Sequence, residues 1–132
     1  MEAQAAPVVG SVDVATLNHH GNRDSQSPVW VSTLKPTVWI EQVWSSDHPG
    51  QDVLNRITSQ KLYAGKRDLY ALTILEATVN YIGEETIEKK YQPEKGHIMV
   101  RVYDGGKHYK VMVLNDSSED IRVRSVKTYE SK

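Results

Sequence analysis

Cysteine is absent from all 132 residues, which excludes disulfides and every thiolate-containing zinc site. His, Asp and Glu remain as the side chains able to hold a metal. No apolar run approaches the roughly 20 residues a membrane-crossing helix needs, so no membrane partner is expected. Charge of one sign is lacking as well. The 16 Lys and Arg against 17 Asp and Glu leave a formal charge of −1, so no global positive field gathers polyanions. Nucleic acid is therefore expected only as a substrate, with a local basic patch still allowed. The stretch Met1-Glu2-Ala3-Gln4-Ala5-Ala6-Pro7 has neither the basic start nor the apolar stretch of a secretory signal. A cytoplasmic location is favoured over export, and a chain cut from a longer one would say nothing about its parent's targeting.

The composition, 39% hydrophobic and 25% charged, is that of a globular domain, and residues 1–132 are the size of one. Chains this long bury roughly two thirds of the surface they expose when unfolded, enough for a real core. Val12 to Leu17 alternates apolar and β-branched positions, then runs into the polar string His19-His20-Gly21-Asn22-Arg23-Asp24-Ser25. That pattern predicts a strand delivering a polar loop. Ser27 before Pro28 is an N-cap with proline at the first helical position, and Trp30, Val31 and Leu34 form a short apolar face before Pro36. Thr37 to Trp44 is dense in β-branched and aromatic residues and predicts a buried strand. A second polar loop, Ser45-Ser46-Asp47-His48-Pro49-Gly50, leads into residues 51–60, where Val53, Leu54 and Ile57 keep helical spacing and Asp47 or Asp52 sits near the positive helix start.

This alternation predicts an α/β unit with both polar loops on the sheet edge where the strands end. A further strand is expected over residues 69–75. Residues 77–92 fit either a helix or a solvated connector. Beyond them, Ile98, Val100 and Val102 alternate, Asp104-Gly105-Gly106-Lys107 supplies a turn, and Tyr109, Val111 and Val113 alternate back, with a third segment at residues 121–126. The expected class is thus α/β, turning α+β at a closing antiparallel hairpin and meander.

Adjacent histidines followed by glycine at a strand end suit a metal site, because the strand fixes the backbone and glycine lets it turn beside an ion. A His-His-Gly triplet alone is more often a hydrated loop. The second histidine loop, His48-Pro49-Gly50, one α/β unit later, strengthens the metal reading by sharing the rim. Asp13 and His97 read as structural, and the tryptophans Trp30, Trp39 and Trp44 read as core rather than as a stacking platform.

The set Val12-Asp13-Val14, Asn18-His19-His20-Gly21-Asn22, Ser27-Pro28, Leu34-Lys35-Pro36-Thr37-Val38, His48-Pro49 and Val53-Leu54 resembles the closing part of metallo-β-lactamase-fold hydrolases. It is most similar to the subgroup related to the hydrolase domain of the DNA-uptake competence protein ComEC. Gly96 to Val102, with Val113-Leu114-Asn115-Asp116, resembles the tail of some bacterial members. The resemblance implies the C-terminal half of an αββα sandwich whose complete site holds one or two zinc ions. His19 is the implied ligand, with His20 as the alternative; His20, Asn22 and His48 are the implied substrate rim. For His48 a hydrated helix-start residue is an equally good reading. No His-x-His-x-Asp-His string occurs in the chain, so the catalytic half and the bridging aspartate are expected upstream on the same polypeptide. The expectation is a fragment of a metal-dependent hydrolase, phosphodiesterase or nuclease by analogy, that alone is inactive and holds no zinc tightly. The alternative is a non-catalytic binding or assembly domain of the same fold, and self-association would cover surface that the missing half leaves exposed.

Overall fold

A computed structural model describes residues 1–132 as a mixed α+β domain with two three-stranded sheets. The first is parallel: β1 (Val14–Thr16), β2 (Val38–Glu41) and β3 (Asp68–Ala71) lie in the order β1-β2-β3. Val14 pairs with Val38 and Val38 with Asp68, so the expected neighbours β1 and β2 are adjacent. The second sheet is an antiparallel meander of β4 (His97–Tyr103), β5 (His108–Leu114) and β6 (Val123–Glu130). The hairpin is in the expected register, His97 opposite Leu114 and Tyr103 opposite His108, around a turn in which Gly105 and Gly106 both have positive φ.

Helices cover one face of the parallel sheet and the meander covers the other. Alternation along β2 divides the core accordingly. Trp39 faces a helix-side cluster with Val31, Val53, Leu54, Ile57 and Leu69. Val38 and Ile40 meet Tyr70, Tyr109, Val111 and Val113 between the sheets. A strand buried on both faces reads as an unbroken apolar run, which is why Val38-Trp39-Ile40 lacks a polar position. The chain thus stacks in three layers: helices, parallel sheet, antiparallel sheet.

The helices are α1 (Glu2–Val9), α2 (Pro28–Leu34), α3 (Gln51–Thr58), α4 (Glu76–Ile82) and α5 (Glu84–Lys90). The Ser27 hydroxyl accepts the Trp30 N–H, as the cap pattern predicts. The undecided residues 77–92 are helical as far as Lys90, divided at Gly83 (φ 99°) into α4 and α5, and Tyr91 bridges to Leu69. Strand β2 stops at Glu41 rather than Trp44, and Trp44 is not core: it is 79% exposed beyond the strand end. Trp39 is fully buried and Trp30 partly so, as expected of core residues. Helix α1 has no counterpart in the sequence patterns. Its Pro7 and alanines signal little, and it is held by tertiary bonds from the Glu2 carboxylate, which accepts from Asn18 Nδ2 (2.8 Å), Gln26 N (2.8 Å) and Ser27 N (2.6 Å). Burial raises the pKa of Glu2, but these bonds outweigh it and leave a net lowering. No helix is long and apolar enough to cross a membrane.

Candidate functional site

Strand β1 ends at Thr16, and residues 18–21 form a tight turn at the C-terminal edge of the parallel sheet. His19 (φ 45°, ψ 40°), His20 (φ 57°, ψ 17°) and Gly21 (φ 83°) are consecutively left-handed. Two non-glycine residues in that region cost on the order of 1 kcal/mol or more each, so surrounding contacts must hold them. Those contacts are visible. Gly50 N–H donates to Gly21 O at 2.9 Å, tying the first histidine loop to the second. Gly21 sits at φ 83°, and a Cβ there would stand 2.9 Å from Leu17 Cδ1 and 3.4 Å from Pro49, so a side chain would be strained by the backbone and crowded between the loops.

The tie brings the three histidines together, as the shared-rim argument predicts. Ring centroids are 5.4 Å apart for His20 and His48 and 6.5 Å apart for His19 and His48. Their hydrogen bonds divide them chemically. His20 Nδ1 lies 2.6 Å from the Gln42 carbonyl oxygen, and His19 Nδ1 lies 2.8 Å from Asp24 Oδ1. Both partners only accept, so Nδ1 carries a proton and donates, and Nε2 is left without a partner on either ring. His48 is the reverse: its Nδ1 accepts from Ser45 N (3.0 Å) and Trp44 N (3.3 Å), which leaves the proton on Nε2, 3.8 Å from Asp47 Oδ1. His48 is only 3% exposed, which overturns the hydrated helix-start reading. Burial holds its pKa below the ordinary histidine value, partly offset by Asp47.

His19 is exposed beside a cleft of about 340 Å³ that Asn18, Asp24 and Trp30 also line. His20 stacks between His48 and Trp44, whose ring centroid is 6.3 Å away. Asn22 is turned inward on its own loop: its side-chain oxygen accepts Arg23 N–H at 2.7 Å and its carbonyl accepts from Ser25. Asp13 and His97 are apart from this rim. Asp13 accepts from Lys132 N at 3.1 Å, and His97 opens β4.

Sequence reasoning missed Asp24 and Gln42 as the groups that orient the two imidazoles. Asp24 stands five residues after His19, a spacing with no helical or strand meaning. The Gln42 carbonyl belongs to a residue whose side chain has no part in the contact.

The donor set suits zinc in kind, two basic imidazole nitrogens each steadied by an oxygen behind the ring. It falls short in number, because no group of three or more His, Cys, Asp or Glu side chains is arranged to hold a metal ion. Comparison with protein-family models, with curated proteins and with solved structures finds no match for the chain.

Proposed function

We propose that this chain is the C-terminal part of a metal-dependent hydrolase of metallo-β-lactamase fold, contributing the last ligand histidine to a site completed by residues outside it. The observation that carries the reading is the hydrogen bonding of the adjacent histidines, which frees Nε2 on both at one strand-end rim. His19, backed by the Asp24 carboxylate, is the ligand; the carboxylate fixes the orientation of the ring and turns Nε2 outward. His20 faces the substrate from its stack between Trp44 and His48. His48, buried and with its proton on Nε2, backs the His20 ring by stacking rather than serving as a second ligand. His19, with ligands from outside the chain, would hold the zinc, which would supply an acidified water and a Lewis acid for a scissile phosphoryl or carbonyl group. The layer order helices, parallel sheet, antiparallel sheet supports the sandwich reading, with its fourth layer upstream on the same polypeptide. The first guess at substrate is a phosphodiester, on fold analogy alone.

Calorimetric titration of zinc into this chain tests the reading. One or two imidazoles leave an ion mostly water-coordinated, so binding is expected to be weak, weaker still in His19→Ala, and without turnover of a generic phosphodiester. Sub-micromolar binding with turnover that disappears in His19→Ala would show a site completed within the chain.

A second reading, a binding or assembly module, is favoured by a separate observation. Val100 and Val102 are 37% and 62% exposed although they lie on the face of the meander that carries the buried Tyr109, Val111 and Val113.

A further inference from the structure

Trp44 stands outside the core that large aromatic rings usually build. It is 79% exposed, more than any tyrosine or either other tryptophan of the chain. An indole left in water forfeits the burial that makes such rings core formers. Its position is nevertheless built. Strand β2 ends at Glu41, and the chain just beyond it is tied twice to the rim: Gln42 O accepts from His20 Nδ1 at 2.6 Å, and Trp44 N–H donates to His48 Nδ1 at 3.3 Å.

These ties assemble a column of three rings. His48, buried, forms its inner end, with its centroid 5.4 Å from that of His20 and an interplanar angle of 21°. Trp44 closes the outer end, 6.3 Å from His20 at 28°. The left-handed backbone of His20 (φ 57°) and its bond to Gln42 O hold the middle ring in place. One face of the indole therefore rests on His20, and the opposite face is open to water beside the free Nε2 of that imidazole.

We propose that the open face of Trp44 is a stacking subsite for an aromatic ring carried by the substrate next to its scissile group, so that the substrate is a small aryl ester. Calling this ligand a substrate rests on the hydrolase reading; the ring contact itself needs no metal. A further flat ring continues a column whose members are already nearly parallel, in the offset geometry that aromatic pairs prefer. A cation is the other occupant an indole attracts, and it is held best where carboxylates surround it. The loop from Ser45 to Gly50 supplies one carboxylate, Asp47, and that lies 3.8 Å from His48 Nε2.

The test is a titration of the full chain, with a chelator present, by phenyl phosphate and by cyclohexyl phosphate, an anion of equal charge and carbon number without a flat ring. Proton–nitrogen correlation NMR follows the indole N–H of Trp44, assigned by its loss in Trp44→Leu, and the backbone amides of residues 42–48. Phenyl phosphate is expected to shift these signals saturably and to bind roughly threefold tighter or more than cyclohexyl phosphate. Trp44→Phe, which keeps a ring, should retain the preference, and Trp44→Leu should abolish it. Neither change touches the core, because the side chain is outside it. Equal binding of the two phosphates, an unchanged preference in Trp44→Leu, shifts confined to other parts of the chain, or tighter binding of tetramethylammonium would each overturn the proposal. A Trp44 signal that moves on dilution of the chain alone would do so too, because a second copy then covers the indole. All of these outcomes leave the hydrolase reading standing, since zinc binding at His19 tests that separately.

Discussion

Glu41 closes β2 on the helix side of the sheet and is 1% exposed, among the apolar residues that also pack Trp39. Tyr91 OH donates to its Oε2 at 2.5 Å, while Oε1 has no partner. Burial pushes the carboxyl up to about 8, only partly opposed by the tyrosine bond, and Tyr91 itself is driven well above the ordinary phenol value. The sign of the effect on stability follows. Below about 4.5 the group is neutral folded and unfolded, and burial carries no ionic penalty. Between about 4.5 and 8 the unfolded chain releases the proton first, so stability falls as pH rises; above that the penalty is constant. A shift this large corresponds to a few kcal/mol, on the order of 1.4 kcal/mol per pH unit. Glu41→Gln keeps an acceptor for Tyr91 and removes the charge, so its urea midpoint should fall much less than the wild type's between pH 5 and pH 8.5. Parallel profiles for the two proteins would mean that Glu41 stays ionised in the fold. Its place within a predicted strand was legible in the sequence. Its burial was not, because strand alternation gives a face and not what covers that face.

At the scale of elements, the meander depends on how β4 is entered. Gly96 sits just before β4 at φ 144°, its N–H bonded to Leu72 O at 2.9 Å, and a Cβ there would stand 2.1 Å from Leu114 O. Backbone cannot yield as a flexible side chain can. Gly105, in the hairpin turn, also has positive φ (63°), but nothing lies within 4 Å of a Cβ built on it. Gly105→Ala should therefore cost about 1 kcal/mol of conformational strain, and Gly96→Ala at least twice as much, measured as the difference in unfolding free energy. Equal costs would show that the strand entry moves freely. The turn glycines were readable from Asp104-Gly105-Gly106-Lys107 because local chemistry specifies a turn. Gly96 was not, since its constraint comes from a carbonyl eighteen residues away. The contrast between α2 and α1 has the same origin. Ser27-Pro28 announces a helix locally, whereas α1 is fastened by Glu2 to Asn18, Gln26 and Ser27.

For the whole molecule, the question is what covers the meander. Only the start of β4 is covered, where Ile98 packs against the inter-sheet core, so Val100 and Val102 stay exposed on its inner side, while Met99 (46%) and Val126 (53%) are exposed on the outer side. β4 is also an edge strand of seven residues with no pairing partner on its outer side. Such an edge is a template for another strand. The isolated chain is expected to self-associate with rising concentration in sedimentation velocity. Val102→Lys, which sets a charge on that overhang, should return it toward the monomer. A monomer at every concentration, in the wild type as in the variant, would remove the case for pairing through this edge.

The sequence by itself determined the order of the strands from β1 to β6 and of helices α2 and α3 between them, the cap of α2, the hairpin and the position of the two histidine loops at strand ends, while it left α4 and α5 open. All of these follow from periodicity and turn chemistry acting over a few residues. Tertiary structure alone decided the chemical state of the rim. Asp24 and Gln42 leave Nε2 free on His19 and His20, while the Ser45 and Trp44 N–H groups turn His48 into a donor. It also decided that Trp44 stacks on His20 outside the core, and that cations distant in sequence, Lys35, Lys66 and Lys90, gather at one edge of a neutral chain. A histidine's tautomer and a surface's local charge depend on what lies within a few ångströms in space, and chain spacing carries no record of that.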